Sequence, residues 1–362
     1  RFDDSPAQIV FSSGTEGRPK AILLSHRNLG ANIAQLIPAL DTVGLRRDST
    51  VMAVLPFFHI YGLTALLNLS LWRRATQYTM GKFDLLDFLS IIAEHKVNFA
   101  FVAPPVAVGL AKHPAVDSFD LSSLQTIFSG AASLHLDLAE QVEKRLDCVV
   151  AQGYGMTETS PAVMVLDRED AARKAGSSGK PVLHTEVRIV RPDGSDAAIG
   201  ELGELWVKGP NITPGYWNRP DANASSFTDG WLHTGDATRI DEEGFYYIVD
   251  RWKDMYISGG ENVYPAEVES VLHQLAAVAE AAVIGIPNEQ WGEVGMAVIA
   301  VKPGHTLTPA EIHAHCQANL ARFKCPRLIE FIDALPRNAT GKIHKPTLRQ
   351  QFGQPKPTDT AA

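Results

Sequence analysis

The chain has 362 residues, 45% of them hydrophobic and 20% charged, and 33 basic against 41 acidic residues leave a formal net charge of -8. Those values are ordinary for a globular protein of two or three domains with a sizeable core. No run of like charge stands out, so nothing points to a nucleic-acid or anionic-membrane surface.

In chain order, residues 9–13 read as a short buried strand entering a turn, and 21–24 as a second strand. Ser25 is placed to cap a helix of roughly a dozen residues. Residues 51–55 and 99–102 read as buried strands, separated by helical stretches at 63–72 and 85–95. Strands alternating with helices predict an α/β fold with a mostly parallel sheet covered by helices on both faces. From Val182 the texture changes: 184–190 alternates, the turn Arg191-Pro192-Asp193-Gly194 follows, and 204–208 and 245–250 are strand-like. That pattern predicts antiparallel sheet or a small barrel. The charged, Gly-rich stretch 251–260 is read as a domain boundary, separating a large domain (1–250) from a small C-terminal α+β domain (251–362). Within the latter, Pro265 suits a first helical position, 281–286 and 297–301 read as strands, and Thr308-Pro309-Ala310-Glu311 is a capping box.

The three cysteines, Cys148, Cys316 and Cys325, are sparse, odd in number and without Cys-x-x-Cys spacing. This argues against a disulfide framework or a zinc site and for a reducing cytoplasm, with Cys148 and Cys316 as inert packing residues. Arg1 to Gln8 lacks a signal pattern, and the apolar stretch 97–111 is too short and too broken by Pro104 and Pro105 to span a bilayer. The tail 354–362 is expected to fray.

Four segments carry chemistry. In Ser12-Ser13-Gly14-Thr15-Glu16-Gly17-Arg18-Pro19-Lys20, two glycines permit a tight turn whose backbone N–H groups make an anion site, with hydroxyls and Lys20 alongside. The loop suits a polyphosphate or, more blandly, is a polar surface turn. It is not a Walker A loop, because no Gly-Lys-Ser/Thr follows. In Gln152-Gly153-Tyr154-Gly155-Met156-Thr157-Glu158, an aromatic ring between glycines can face a purine, and a carboxylate can hold Mg²⁺. An ordinary glycine turn reads the same way. Thr234-Gly235-Asp236 and Asp250-Arg251-Trp252-Lys253-Asp254 offer a carboxylate for a ribose, or a solvated charge run. In Asn338-Ala339-Thr340-Gly341-Lys342-Ile343, a lone lysine beside glycine is by itself an ordinary loop.

Taken with Pro56-Phe57-Phe58-His59-Ile60-Tyr61-Gly62 and Gly203-Glu204-Leu205-Trp206, these motifs stand in the order and rough spacing of the acyl-adenylate-forming enzymes. The chain resembles the acyl-CoA synthetase branch, 4-coumarate–CoA ligases and fatty acyl-CoA synthetases, over nearly its whole length. The resemblance implies an acid–thiol ligase using ATP, Mg²⁺ and coenzyme A, with a carboxylic acid as the remaining partner. It implies that Ser12, Ser13, Gly14, Thr15, Gly17 and Lys20 cradle phosphates. Gln152, Gly153, Tyr154, Gly155, Met156 and Thr157 would hold the nucleotide, with Tyr154 stacked on adenine, and Glu158 would help hold the metal. Asp236 would bind the ribose, with Arg251 near it, and Lys342 would bridge the substrate carboxylate and the α-phosphate. His59, Tyr61, Gly62 and Gly130 would wall the acyl pocket and its passage to the thiol, and Gly130, Ala131 and Ala132 would also border the nucleotide.

The resemblance further implies a mobile C-terminal domain hinged at Lys253. Gly259 and Gly260 would replace Lys342 for the second half-reaction, and Trp291, Phe323 and Lys324 would lie near coenzyme A. Two alternatives share these motifs: an adenylate former that loads a carrier protein, and a fragment that binds nucleotide without turnover. The chain departs from the pattern at Glu16, usually threonine, and at Ala21, often glycine. It also departs in length, which leads to the expectation that an N-terminal portion is absent, the chain being either a fragment or one whose missing part is supplied by another segment, and that an apolar face of the sheet beginning at Ile9 is exposed.

Overall fold

The computed structural model describes residues 3–12, 19–132, 134, 136–171, 173, 174, 176–338 and 342–353. Pro19, Gly235–Thr238 and the chain from Val249 onward gather into one compact unit, and the remainder forms another.

The larger unit opens with an antiparallel hairpin of β1 (Pro6–Phe11) and β2 (Ala21–Ser25). Ser25 then caps α1 (His26–Thr42). Its Oγ accepts from the Asn28 N–H at 3.1 Å, and Asn28 Oδ1 accepts from the Ser25 N–H at 2.9 Å. The cap expected at Ser25 is there, but the helix runs 17 residues rather than about a dozen, through Pro38. The parallel sheet follows with β3 (Thr50–Ala53), α2 (Leu69–Trp72), β4 (Thr76–Thr79), α3 (Leu85–His95), β5 (Phe99–Val102) and α4 (Pro104–Lys112). It continues with β6 (Thr126–Ser129), α5 (Leu136–Leu146), β7 (Val149–Gly155), β8 (Ala162–Leu166), α6 (Arg168–Ala171) and β9 (Lys180–Pro181).

The strand order is β4-β3-β5-β6-β7-β8-β9. The first five strands are mutually parallel, β8 is antiparallel to β7, and β9 is antiparallel to β8. Every residue of β5 and β6 is buried. Successive side chains alternate between two cores, as a pleat requires. Ala100, Val102 and Ile127 meet Phe88, Leu89, Ile92 and Val142 from α3 and α5. Phe99, Phe101 and Phe128 meet Leu36 and Leu40 of α1 on the opposite face. Each such large side chain contributes about 1.5–3 kcal/mol of transfer free energy. The stretch expected to be helical over 63–72 is a wider π-helical coil (Tyr61–Asn68) running into α2.

The texture change after Val182 proves to be sheet: β10 (Glu186–Val190), β11 (Gly203–Lys208), β12 (Gly215–Tyr216), α7 (Pro220–Ser226), β13 (Phe227–Thr228), β14 (Trp231–Ile240) and β15 (Tyr246–Arg251). Five of these strands make a sheet ordered β10-β11-β14-β13, with β15 on β14, while β12 pairs with β2. One expectation is corrected here. The segment at Ile9 is the edge strand of a separate three-stranded antiparallel sheet, ordered β1-β2-β12, and does not begin the parallel one. Among the described residues only one side of β1 is paired, and Ile9 and Phe11 are exposed by 44% and 67%.

The smaller unit is an α+β module. It comprises β16 (Tyr256–Ser258), β17 (Glu261–Val263), α8 (Pro265–Leu272), β18 (Val278–Asn288), β19 (Gly292–Val301), α9 (Pro309–Asn319), β20 (Leu328–Phe331) and α10 (Lys345–Phe352). The sheet order is β17-β16-β19-β18, with β20 parallel to β19. Pro265 occupies the first turn of α8. Thr308 and Glu311 close the capping box of α9. α8 and α9 cover one face of the sheet around Val268, Leu272, Ile312 and the buried thiol Cys316. Leu348 of α10 covers the other with Ile284 and Val298. Among the described residues, no helix is long and apolar enough to cross a membrane.

Candidate functional site

In the larger unit, most of the motif residues follow the carboxyl ends of parallel strands, where ligands of open α/β sheets bind. The register sets Val102 beside Ser129 and Ser129 beside Gln152. Gly130 and Gly153 are therefore neighbours at one edge. A Cβ on Gly130 would lie 2.9 Å from the Tyr61 ring, so glycine is what lets that ring lie flat on the strand end. The Tyr61 hydroxyl is committed, donating to the Phe128 carbonyl at 2.9 Å, and complete burial raises its pKa well above the usual phenol value. Ala131 and Ala132 are exposed beyond it, and Ala131 holds a left-handed φ of 71°. Strain of that kind in a residue with a Cβ collects at ligand sites.

His59 precedes the π-helical coil. Its Nδ1 accepts from the Tyr61 N–H at 3.3 Å, which leaves the proton of the neutral ring on Nε2. Gly62 admits the coil beneath residue 56, since a Cβ there would meet the Pro56 carbonyl oxygen at 2.3 Å.

The Gln152–Glu158 segment turns sharply. A Cβ on Gly155 would come within 1.9 Å of the Pro161 carbonyl oxygen, and one on Gly153 within 2.9 Å of the Met164 carbonyl oxygen. Tyr154 is half-buried against Val163, Met164 and Leu205. The Met156 N–H donates to Thr159 Oγ1 at 3.1 Å, which stabilises the short 3₁₀ turn holding Thr157 and Glu158.

Glu158 is only 6% exposed, and its Oε1 accepts the hydroxyl of Tyr216 at 3.0 Å. The ammonium of Lys20 stands 4.8 Å from the centroid of the same Tyr216 ring. Tyr216 was absent from the sequence reading. It lies 58 residues from Glu158, and nothing local marks it. Two turns of the chain deliver it, since Tyr216 on β12 pairs with Ile22 on β2, just past Lys20. Ser12 and Lys20 close the base of the Gly-rich loop. The Ser12 N–H donates to the Lys20 carbonyl at 3.0 Å, and the Lys20 N–H donates to Ser12 Oγ at 3.2 Å. Ser13, Gly14, Thr15, Glu16, Gly17 and Arg18 lie outside the described residues, as do Ala339, Thr340 and Gly341.

The smaller unit holds a second constellation. Asp236 is 4% exposed, and its Oδ1 meets Arg251 Nε at 3.1 Å. Lys342 is exposed by area, yet protein atoms around its ammonium lower its pKa, helped by Arg251 and opposed by Asp236. The segment 250–254 is not the solvated charge run that was one reading of it. Asp250 Oδ1 accepts from the Arg251 N–H and Oδ2 from the Ala266 N–H, each at 2.7 Å, so Asp250 caps α8 from a distance. Burial raises its pKa. Asp254 accepts from Arg349 at 2.7 Å. Lys253 is exposed, yet protein atoms around its ammonium lower its pKa, opposed by Asp254 and helped by Arg349.

Gly259 has a φ of 63°, and a Cβ there would strike the Trp291 ring at 2.8 Å. Its N–H donates to the Trp291 carbonyl at 2.9 Å. Gly260 has open space above it. Phe323 packs against the Tyr256–Val263 core, and Lys324 donates to both carboxylate oxygens of Glu267, at 2.6 and 2.8 Å. Both of these therefore have structural occupations.

Among the described residues, no group of three or more His, Cys, Asp or Glu side chains could hold a metal by itself. A single buried carboxylate such as Glu158 fits Mg²⁺, which ordinarily takes one or two carboxylates and completes its shell with substrate phosphates and water.

The model of the AMP-binding enzyme family matches residues 3–217, and that of the AMP-binding enzyme C-terminal domain matches 267–342. A feruloyl-CoA synthase of Amycolatopsis sp. is 41% identical over 350 residues, covering 97% of this chain and 70% of the relative. A long-chain-fatty-acid–CoA ligase of Bacillus subtilis is 38% identical, covering 95% of this chain and 61% of the relative. The o-succinylbenzoate CoA synthetase of Bacillus subtilis, solved with its acyl-adenylate intermediate, superposes with a TM-score of 0.87 at 36% identity, over 96% of this chain and 69% of that one. The chain thus spans between three fifths and seven tenths of the length of these relatives, which are CoA ligases and synthetases. With the family model covering more than half of it and relatives above 30% identity along nearly all of it, the chain belongs to the AMP-binding, acyl-adenylate-forming enzymes.

Proposed function

We propose that this chain activates a carboxylic acid with ATP and passes the acyl group to coenzyme A. In the first step an oxygen of the acid attacks the α-phosphorus, the bond to the β-phosphate breaks, and pyrophosphate leaves an acyl-AMP. In the second the thiol sulfur attacks the acyl carbon, its proton is released, and AMP departs. Both steps move negative charge among closely spaced oxygens, so the protein's contributions are positioning and fixed positive charge.

The observation that carries the reading is the gathering of Lys342, Arg251 and Asp236 in one unit. Asp236 offers a buried carboxylate to ribose hydroxyls. Lys342, a flexible point charge, suits a carboxylate–phosphate bridge made in one step and withdrawn in the next. Lys20 and Glu158, set around Tyr216, serve the phosphates and Mg²⁺. Tyr154 offers its ring to adenine. Tyr61 over Gly130 forms an aromatic wall for the acid, and His59 gates its passage to the thiol. We assign coenzyme A to the Gly259–Gly260–Trp291 face, with Lys253 as the hinge residue between the half-reactions.

ATP–pyrophosphate exchange with a panel of acids, from benzoate and hydroxycinnamates to long fatty acids, tests the reading. Exchange with one class, and a thioester on adding coenzyme A, is the expected result. Absence of exchange with every acid would refute adenylation by this chain.

A further inference from the structure

Lys342 precedes α10 by three residues, and α10 is fastened on its inner side by charges that the proposed chemistry leaves unused. Lys345 is 14% exposed in its side chain, and its ammonium meets Glu269 Oε1 of α8 at 2.8 Å, with Glu269 19% exposed. Asp250 and Asp254 add their fields to the same ammonium. One turn on, Arg349 holds Asp254 at 2.7 Å. Asp250 is tied to α8 through the Ala266 N–H, and Glu269 to β18 by accepting from the Val283 N–H at 2.8 Å. One partly buried cluster thus joins α10, α8 and the 250–254 segment, and Arg251 in that segment is the partner of Asp236.

Drawing five charges partly out of solvent is costly, and apolar residues of similar volume would hold a helix at least as well. Leu348 already anchors α10 in the core. What the ions add is direction. A charge pair with fixed geometry selects one register, whereas Leu against Ile or Val tolerates sliding.

We infer that Lys345 is a positioning residue: through Glu269, Asp250 and Asp254 it sets the register of α10, and so holds Lys342 against Arg251 and Asp236. The inference deepens the proposed adenylation site and rests on that reading only for its catalytic consequence. The placement itself can be measured without turnover.

The test is competitive acetylation of the folded chain with trace acetic anhydride across pH, reading Lys342 by mass spectrometry of its peptide. In the parent, Lys342 titrates below 10.5, the ordinary lysine value. The charged groups bearing on it are Arg251 and Asp236. In Lys345→Gln its titration returns toward 10.5, and Lys345→Arg, which keeps the charge and the partners, restores the parent curve. The double variant Lys345→Gln/Glu269→Gln removes both members of the pair, so neither is left facing the other's vacancy. It serves if the single change fails to fold, and the same return toward 10.5 is expected. An unchanged Lys342 curve in either folded variant overturns the inference. If adenylation is the activity, Lys345→Gln slows pyrophosphate exchange by about 10²-fold, the scale of a 1 Å misplacement. The thioester step from preformed acyl-AMP is spared. Equal slowing of both half-reactions would contradict a role directed at Lys342. Absence of exchange in the parent itself would count against the ligase reading and leave the labelling result standing.

Discussion

Removing one oxygen from Tyr216 isolates the contact around which the larger unit's acidic centre is built. The Tyr216 ring is 6% exposed among Val10, Ile22, Leu24 and Ile60, and Tyr216→Phe preserves that packing. What disappears is one O–H donor at 3.0 Å from a carboxylate that is itself 6% exposed. Hydrogen bonds to charged groups contribute about 1.5–3 kcal/mol, and a buried carboxylate deprived of a donor cannot recover it from solvent. The variant should therefore unfold more easily by about that amount, a change of about 10- to 150-fold in the unfolding constant. Urea titration of the parent, Tyr216→Phe, Glu158→Gln and the double variant forms a thermodynamic cycle. Contact between the two predicts a coupling of about 0.5–3 kcal/mol, whereas independent sites add to within about 0.3–0.5 kcal/mol. Additive behaviour would refute the claim that Tyr216 acts through Glu158. The same four proteins, titrated calorimetrically with Mg·ATP, then report whether the contact serves the ligand. Tyr216→Phe should weaken binding in the parent background and not in Glu158→Gln.

Lys342→Ala should abolish pyrophosphate exchange yet leave thioester formation from preformed acyl-AMP intact, and equal loss of both would refute separate roles for the half-reactions. The ammonium is the active form and its pKa is lowered, so the alkaline limb of exchange should fall below pH 10.5. Between the folded and unfolded values the unfolded chain binds more protons, so this lysine's contribution to stability grows as pH rises through that interval. Gly155→Ala sets a Cβ 1.9 Å from the Pro161 carbonyl oxygen and should cost about 3 kcal/mol or more, read as a lowered thermal midpoint; a midpoint like the parent's would show that the turn is not packed as described. Tyr256→Phe should act in the opposite direction. The Tyr256 hydroxyl is buried with no partner among the described residues, and deleting it removes a desolvation cost of about 1–3 kcal/mol, so the midpoint should rise. Burial pushes the Cys148 thiol up to about 12 and Cys316 up to about 11, so at pH 8 both should alkylate far more slowly in the folded chain than in urea.

Local pattern carried those parts of this protein that depend on near neighbours. The strand at Phe99–Val102, the helix at Leu85–His95, the Ser25 and Thr308 caps and the turn to antiparallel texture after Val182 all follow from period, capping and turn chemistry within a few residues. The family, too, was legible, because a site that must bring backbone against phosphate has to spell its glycines in order. What the sequence left open depends on which distant segments meet. Residue 9 looked like the start of a buried sheet because a short apolar run does not tell an edge from a centre; among the described residues β1 pairs with β2 only, and that decides it. The run at 250–254 looked equally like solvated charge, since the partners that bury Asp250 and Asp254 lie at Ala266, Lys345 and Arg349. Tyr216 carries no motif at all, and its hydroxyl matters only because β12 pairs with β2 and brings it to Glu158. A carboxylate's chemistry is set by the donors and charges that surround it in space, and chain separation places no bound on which residues those are.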